Sequence, residues 1–148
     1  MKKASFLVSL SFVASSVLGC AGSTSQLISP SAEGLSAELS AFSGPWTLMS
    51  IHPAGEVEQA KPLGASYTLT FGEGRLSTRV DCNSCGGSYT LDGQALVAGP
   101  LLACTRAACP TMAFENTYTK LLAGESTVSL SDGALVLTSP RGVLRFVR

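Results

Sequence analysis

From Gly44 to the C-terminus, apolar residues recur at alternate positions in short runs separated by glycine turns, the period that buries one face of a β-strand. The first run, Trp46-Thr47-Leu48-Met49-Ser50-Ile51, sets Trp46, Leu48 and Ser50 against Thr47, Met49 and Ile51. Both faces therefore carry apolar groups, and Trp46 is the expected core anchor. A turn-rich connection from His52 to Gly64 follows, with His52 expected in a loop before Pro53. Tyr67, Leu69 and Phe71 then share one face of a strand, with Thr68 and Thr70 on the other, and Glu73-Gly74 turns the chain into Arg75–Val80. A second hairpin joins Ser88-Tyr89-Thr90-Leu91 to Ala95-Leu96-Val97-Ala98 through Asp92-Gly93, which supplies the positive φ of a tight type I′ turn. At the C-terminus, Val128–Leu130, Leu135–Leu137 and Val143–Val147, joined by Asp132-Gly133 and Pro140-Arg141-Gly142, read as a three-stranded meander.

The period changes once. Phe114, Tyr118, Leu121 and Leu122 fall at i, i+4, i+7 and i+8, with Pro110 before them and Gly124 just beyond, which predicts a helix from about Thr111 to Leu122. Strands on both sides of one helix indicate a mainly β (α+β) domain, a small antiparallel sheet or barrel with the helix over an opening or face.

The N-terminus has a different pattern. Lys2-Lys3 is followed by an apolar run from Ala4 to Ala14, too short to span a bilayer, and then by Ser16-Val17-Leu18-Gly19-Cys20. That ending resembles a lipobox, with Leu18 where a small residue is more usual. It makes residues 1–19 a cleaved signal and Cys20 the lipidated first residue of the mature chain. Ordinary signal-peptidase cleavage after Ala21 is the weaker competing site. The resemblance implies three acyl chains, and at about 0.8 kcal/mol per buried methylene such an anchor is effectively permanent. Residues 20–43, rich in Ser, Ala and Gly, read as a flexible tether, and 44–148 as one domain. Ala21 rather than Asp after the cysteine favours the outer membrane, facing the periplasm.

Of the 148 residues, only 14% are charged and the formal net charge is zero, so nothing recruits nucleic acid. Loss of the leader leaves roughly 130 residues, room for one core and not for two catalytic domains. A monomer is expected.

Taken in order, the elements resemble the META domain, the HslJ-like family of bacterial envelope proteins. The resemblance rests on Trp46-Thr47-Leu48, on Tyr67–Phe71 with its glycine turn, and on Asp81-Cys82-Asn83-Ser84 leading to Gly87-Ser88-Tyr89. It continues through Leu102-Ala103-Cys104-Thr105-Arg106-Ala107-Ala108-Cys109 and the helix opening Phe114-Glu115. Asn83, Tyr89 and Thr105 carry its most specific parts. Asp81 stands where many members have Gly, and Cys85 and Cys104 add a second cysteine pair. The resemblance implies a small barrel-like fold and a link to envelope stress or drug tolerance, with no established catalytic activity.

Besides Cys20, the cysteines form Cys82-x2-Cys85 and Cys104-x4-Cys109. In an exported protein, two structural disulfides are the leading reading. Antiparallel pairing about Asp92-Gly93 brings residues 82–85 opposite those beyond 100, which suits Cys85 with Cys104 and Cys82 with Cys109. The crossed alternative, Cys82 with Cys104 and Cys85 with Cys109, stays open. A four-cysteine zinc site fits the spacing but not an oxidising compartment. A redox-active Cys-x-x-Cys wants its first thiol at a helix N-terminus, whereas Gly86-Gly87 and a strand follow here. A single histidine, His52, gives no metal pair and no supported triad. Gly72-Glu73-Gly74 is a turn and not a nucleotide loop. Glu115, in the first helical turn, is explained by the helix dipole. Arg141, Arg145 and Arg148 read as a solvated strand edge.

No cofactor is expected and no catalytic residue is assigned. The leading reading is a non-enzymatic, lipid-anchored envelope protein that binds an envelope protein or small-molecule ligand. An inhibitor of a secreted lysozyme or protease is the alternative, and a cysteine-based zinc or redox module the next.

Overall fold

The computed structural model describes residues 42–148. The signal at 1–19, Cys20 and the tether up to residue 41 lie outside the described residues. Among the described residues the elements follow in order: β1 (Trp46–Pro53), β2 (Gln59–Ala60), β3 (Tyr67–Phe71), β4 (Arg75–Val80), β5 (Asn83–Asp92), β6 (Ala95–Ala98), β7 (Ala103–Cys104), α1 (Met112–Leu122), β8 (Gly124–Ser131), β9 (Ala134–Ser139) and β10 (Gly142–Val147).

Eight strands close an antiparallel barrel in the order β1-β3-β4-β5-β6-β8-β9-β10, and β10 returns to β1 from Thr47↔Val147 to Pro53↔Gly142. The short β2 extends the pairing of β1 beyond β3, and β7 pairs with β5. Closure leaves β10 bonded on both sides, so the expected basic edge is no edge. Instead, Arg145 is exposed on a paired strand, Arg148 lies 4.7 Å over the Trp46 ring, and Arg141 sits in the turn before β10.

The mixed pattern of β1 has a local cause. The register with β10 shifts between Leu48 and Ser50, so Met49 is an extra residue on the β1 side. One inserted residue rotates the following side chains to the opposite face, which is how Trp46 and Leu48 before the bulge and Ile51 after it are all buried. His52 is placed on this strand, correcting its assignment to a loop; it is exposed, with Nε2 2.9 Å from the carbonyl of Glu56.

The alternate apolar residues of β3, β4, β6, β8, β9 and β10 fill the barrel, and each end has its own cover. At the Tyr67 end, α1 packs Phe114 and Tyr118 edge-on against the Tyr67 ring, at 5.2 and 5.5 Å between centroids. Tyr118 is fully enclosed, and its hydroxyl shares a hydrogen bond of 2.7 Å with Thr78. Burial pushes its ionisation well above the ordinary tyrosine value, and the bond to Thr78 only partly opposes that. At the Phe71 end, Phe42 packs against Phe71, and its carbonyl accepts the Trp46 indole N–H at 3.0 Å. A residue assigned to the tether thus covers the second opening.

Candidate functional site

A tight turn between Val80 and Asn83 joins β4 to β5, and Asp81 takes a left-handed φ of 58° there. The family's usual Gly suits that conformation, and Asp is among the few side chains that tolerate it. Thr111 donates a 2.7 Å hydrogen bond to Asp81 Oδ2, tying the turn to the start of α1. The turn leaves Cys82 exposed and turns Asn83 inward, only 1% exposed. Asn83 thus opens the ten-residue strand β5.

Asn83 uses both ends of its amide. Its Oδ1 accepts from Ala107 N at 2.7 Å and from the Thr105 hydroxyl at 3.0 Å, while Nδ2 donates to Ala107 O at 3.0 Å. The side chain thereby pairs with Ala107 as a neighbouring strand would. Nδ2 also meets the Glu115 carboxylate at 3.0 Å from Oε2, and Glu115 is only 5% exposed. The dipole of α1 is thus only part of the account of Glu115, whose direct partner is Asn83. Thr105 completes the clamp, accepting from Ser84 N through Oγ1 and donating its own N–H to Ser84 O, both at 3.0 Å.

Two disulfides flank these bonds. Cys85 pairs with Cys104 directly across β5 and β7, and Cys82 pairs with Cys109. This is the nested arrangement and not the crossed one. The sulfurs are bonded to each other, so they offer no thiolates to zinc, and among the described residues no three His, Cys, Asp or Glu side chains are grouped to hold a metal. Nor does His52 meet a nucleophile: nearby Ser50 donates to Glu58 instead.

Of the residues carrying the family resemblance, the structure brings Asn83 and Thr105 together with Glu115 and the four cysteines. Tyr89 lies elsewhere, at the Phe71 end, where its ring packs on Phe71 and its hydroxyl donates to Gly72 O at 2.8 Å. It fixes the β3–β4 turn.

The clamped segment has a second consequence. Before β7, Gly99 donates to Ser88 O at 2.8 Å, and Leu102 lies so close over Gly87 that a Cβ there would be 2.9 Å from its Cδ2. A side chain there would make the Leu102 methyl shift. Pro100, Leu101 and Leu102 form one wall of a cleft of about 460 Å³, opposite Thr119, Lys120, Ala123 and Gly124 at the end of α1. Arg141 closes it, donating through Nη2 to Ala123 O. Leu101 is 87% exposed at the rim. Sequence reading missed this cleft; its signals are Gly86-Gly87 and the apolar Pro100-Leu101-Leu102 belonging to no strand.

Comparisons with known proteins agree with this architecture. No match was found among curated proteins. An NMR structure of a protein from Burkholderia xenovorans is 28% identical with a TM-score of 0.61, covering 76% of this chain and 86% of its own. A second NMR structure, 24% identical with a TM-score of 0.56 over 72% of this chain and 89% of its own, shares the fold. Residues 37–148 match the META domain, and the chain belongs to that family.

Proposed function

We propose that the protein is a non-enzymatic envelope lipoprotein, anchored through Cys20, whose stapled domain binds an envelope component and supports tolerance of envelope stress or drugs. One observation carries this reading. The residues with the most reactive potential, Cys82, Cys85, Cys104, Cys109, Asn83, Thr105 and Glu115, are all engaged in fixing the segment from Gly99 to Thr111 against β5 and α1. Their product is a rigid surface with an open cleft, as a binding module requires. The outer membrane facing the periplasm is the proposed location, with a monomer as the working form.

Complementation of a deletion strain under envelope stress tests it. Wild type and His52→Ala restore tolerance, whereas Cys20→Ser and a folded Leu101→Asp do not. Full restoration by Cys20→Ser, or failure of His52→Ala, overturns the reading.

A second observation favours inhibition of a secreted lysozyme or protease. Leu63 is fully exposed at the tip of a loop braced by Lys61, whose Nζ donates to Ala65 O at 2.6 Å, and by Ala65 N bonded to Pro62 O at 3.2 Å. A single apolar side chain on a braced loop is an anchoring device for an enzyme pocket. Assay against a panel of lysozymes and proteases decides it: inhibition lost in Leu63→Ser supports this reading, and no inhibition removes it.

A further inference from the structure

The cleft between the stapled loop and the end of α1 joins two kinds of surface. Its walls are apolar at Pro100, Leu101, Leu102 and Ala123, and its charged residues are Lys120 and Arg141, both cations. Among the described residues no carboxylate lines it. Arg141 is held in place: Nη2 is bonded to Ala123 O, and the guanidinium lies against Gly124, where a Cβ would stand 3.1 Å from Nη2. That bond uses one of five guanidinium donors and leaves others for a ligand. Lys120, one turn back on the helix, is exposed and projects a second positive charge at the same end. Leu101 keeps an apolar side chain at the rim, beside Leu102 and Ala123, where a ligand's chain could lie against it.

We infer that this cleft is a binding site for a monomeric anionic amphiphile, an alkyl phosphate or carboxylate. Its head would lie between Arg141 and Lys120 and its chain along Leu101, Leu102 and Ala123. The inference deepens the binding role proposed above by naming a ligand class. Paired cations select the anionic head through charge-assisted hydrogen bonds, and the volume falls in the range of small-molecule sites. Because Cys85–Cys104 and the Leu102–Gly87 contact fix one wall and α1 the other, little ordering is needed on binding.

Decyl phosphate, titrated below its micelle concentration into the 15N-labelled full chain, tests the site by amide chemical shifts. Saturable shifts are expected at Leu101, Leu102, Lys120, Gly124 and Arg141. Lys120→Ala, at an exposed helical position, and Arg141→Ala should each weaken binding about fivefold to tenfold, and neutral decyl maltoside should bind at least tenfold more weakly. Shifts confined to other surfaces, equal binding of the maltoside, equal binding of inorganic phosphate, or an unchanged affinity in Lys120→Ala would each overturn the inference. If decyl phosphate fails while Leu101→Asp still abolishes complementation, the ligand class falls and the envelope-binding role stands.

Discussion

Asn83 holds the NH and CO of Ala107, the hydroxyl of Thr105 and the carboxylate of Glu115 with a single amide. Asn83→Leu leaves a buried carboxylate and two backbone groups without those partners, and a loss of about 2–4 kcal/mol in urea unfolding is expected. Glu115→Gln keeps an oxygen for Nδ2 and should cost less than about 1 kcal/mol; a large loss there would mean that the negative charge itself is needed. The tyrosines give a pH test. All three are shifted upward by burial, Tyr118 most strongly. A phenol whose folded value exceeds its unfolded one stabilises the fold below the unfolded value, near pH 10, and loses that contribution as pH rises beyond it. Urea midpoints should therefore fall above about pH 10, and less steeply in Tyr118→Phe, where Thr78 keeps its 2.7 Å bond to Thr68 O.

Among the elements, those with a local signal were legible. The Asp92-Gly93 hairpin has the register Leu91↔Leu96 about its turn, and the helix expected at Thr111–Leu122 is observed at Met112–Leu122. Elements defined by distant partners were not. β7 is only two residues long and exists because Cys104 and Ala103 face Cys85 and Gly86, and the β1 bulge is visible only against β10. Such pairings leave no periodicity in their own sequence. Two predictions belong to this scale. On a chain-entropy account, bridges with separations of 27 and 19 residues each contribute about 3 kcal/mol. Because one loop is nested within the other, each bridge shortens the loop the other closes, so removing both by Cys→Ala should cost more than the sum of the single losses, as read by thermal unfolding. The seam of the barrel is equally specific. A Cβ on Gly142 would stand 2.3 Å from His52 O, so Gly142→Ala should cost more than about 3 kcal/mol. Gly133→Ala meets nothing within 4 Å and should cost only about 1 kcal/mol of left-handed strain.

For the whole molecule, the barrel with one helix was legible because alternation, turn chemistry and the family motif point the same way. The site was legible only in part. Asn83, Thr105 and the cysteines are marked by their sequence neighbourhood, but their convergence with Glu115 depends on where α1 docks. The cleft depends on how Leu102 lies over Gly87 and on where α1 ends, which spacing alone does not reveal. The central claim is that a lipid anchor at Cys20 carries a barrel whose surface is set by two disulfides. Intact-mass and non-reducing peptide mass spectrometry of protein from its native membrane tests it most directly. The account predicts a chain beginning at triacylated Cys20, with Cys82 linked to Cys109 and Cys85 to Cys104. An unlipidated start, free thiols or bound zinc would contradict it.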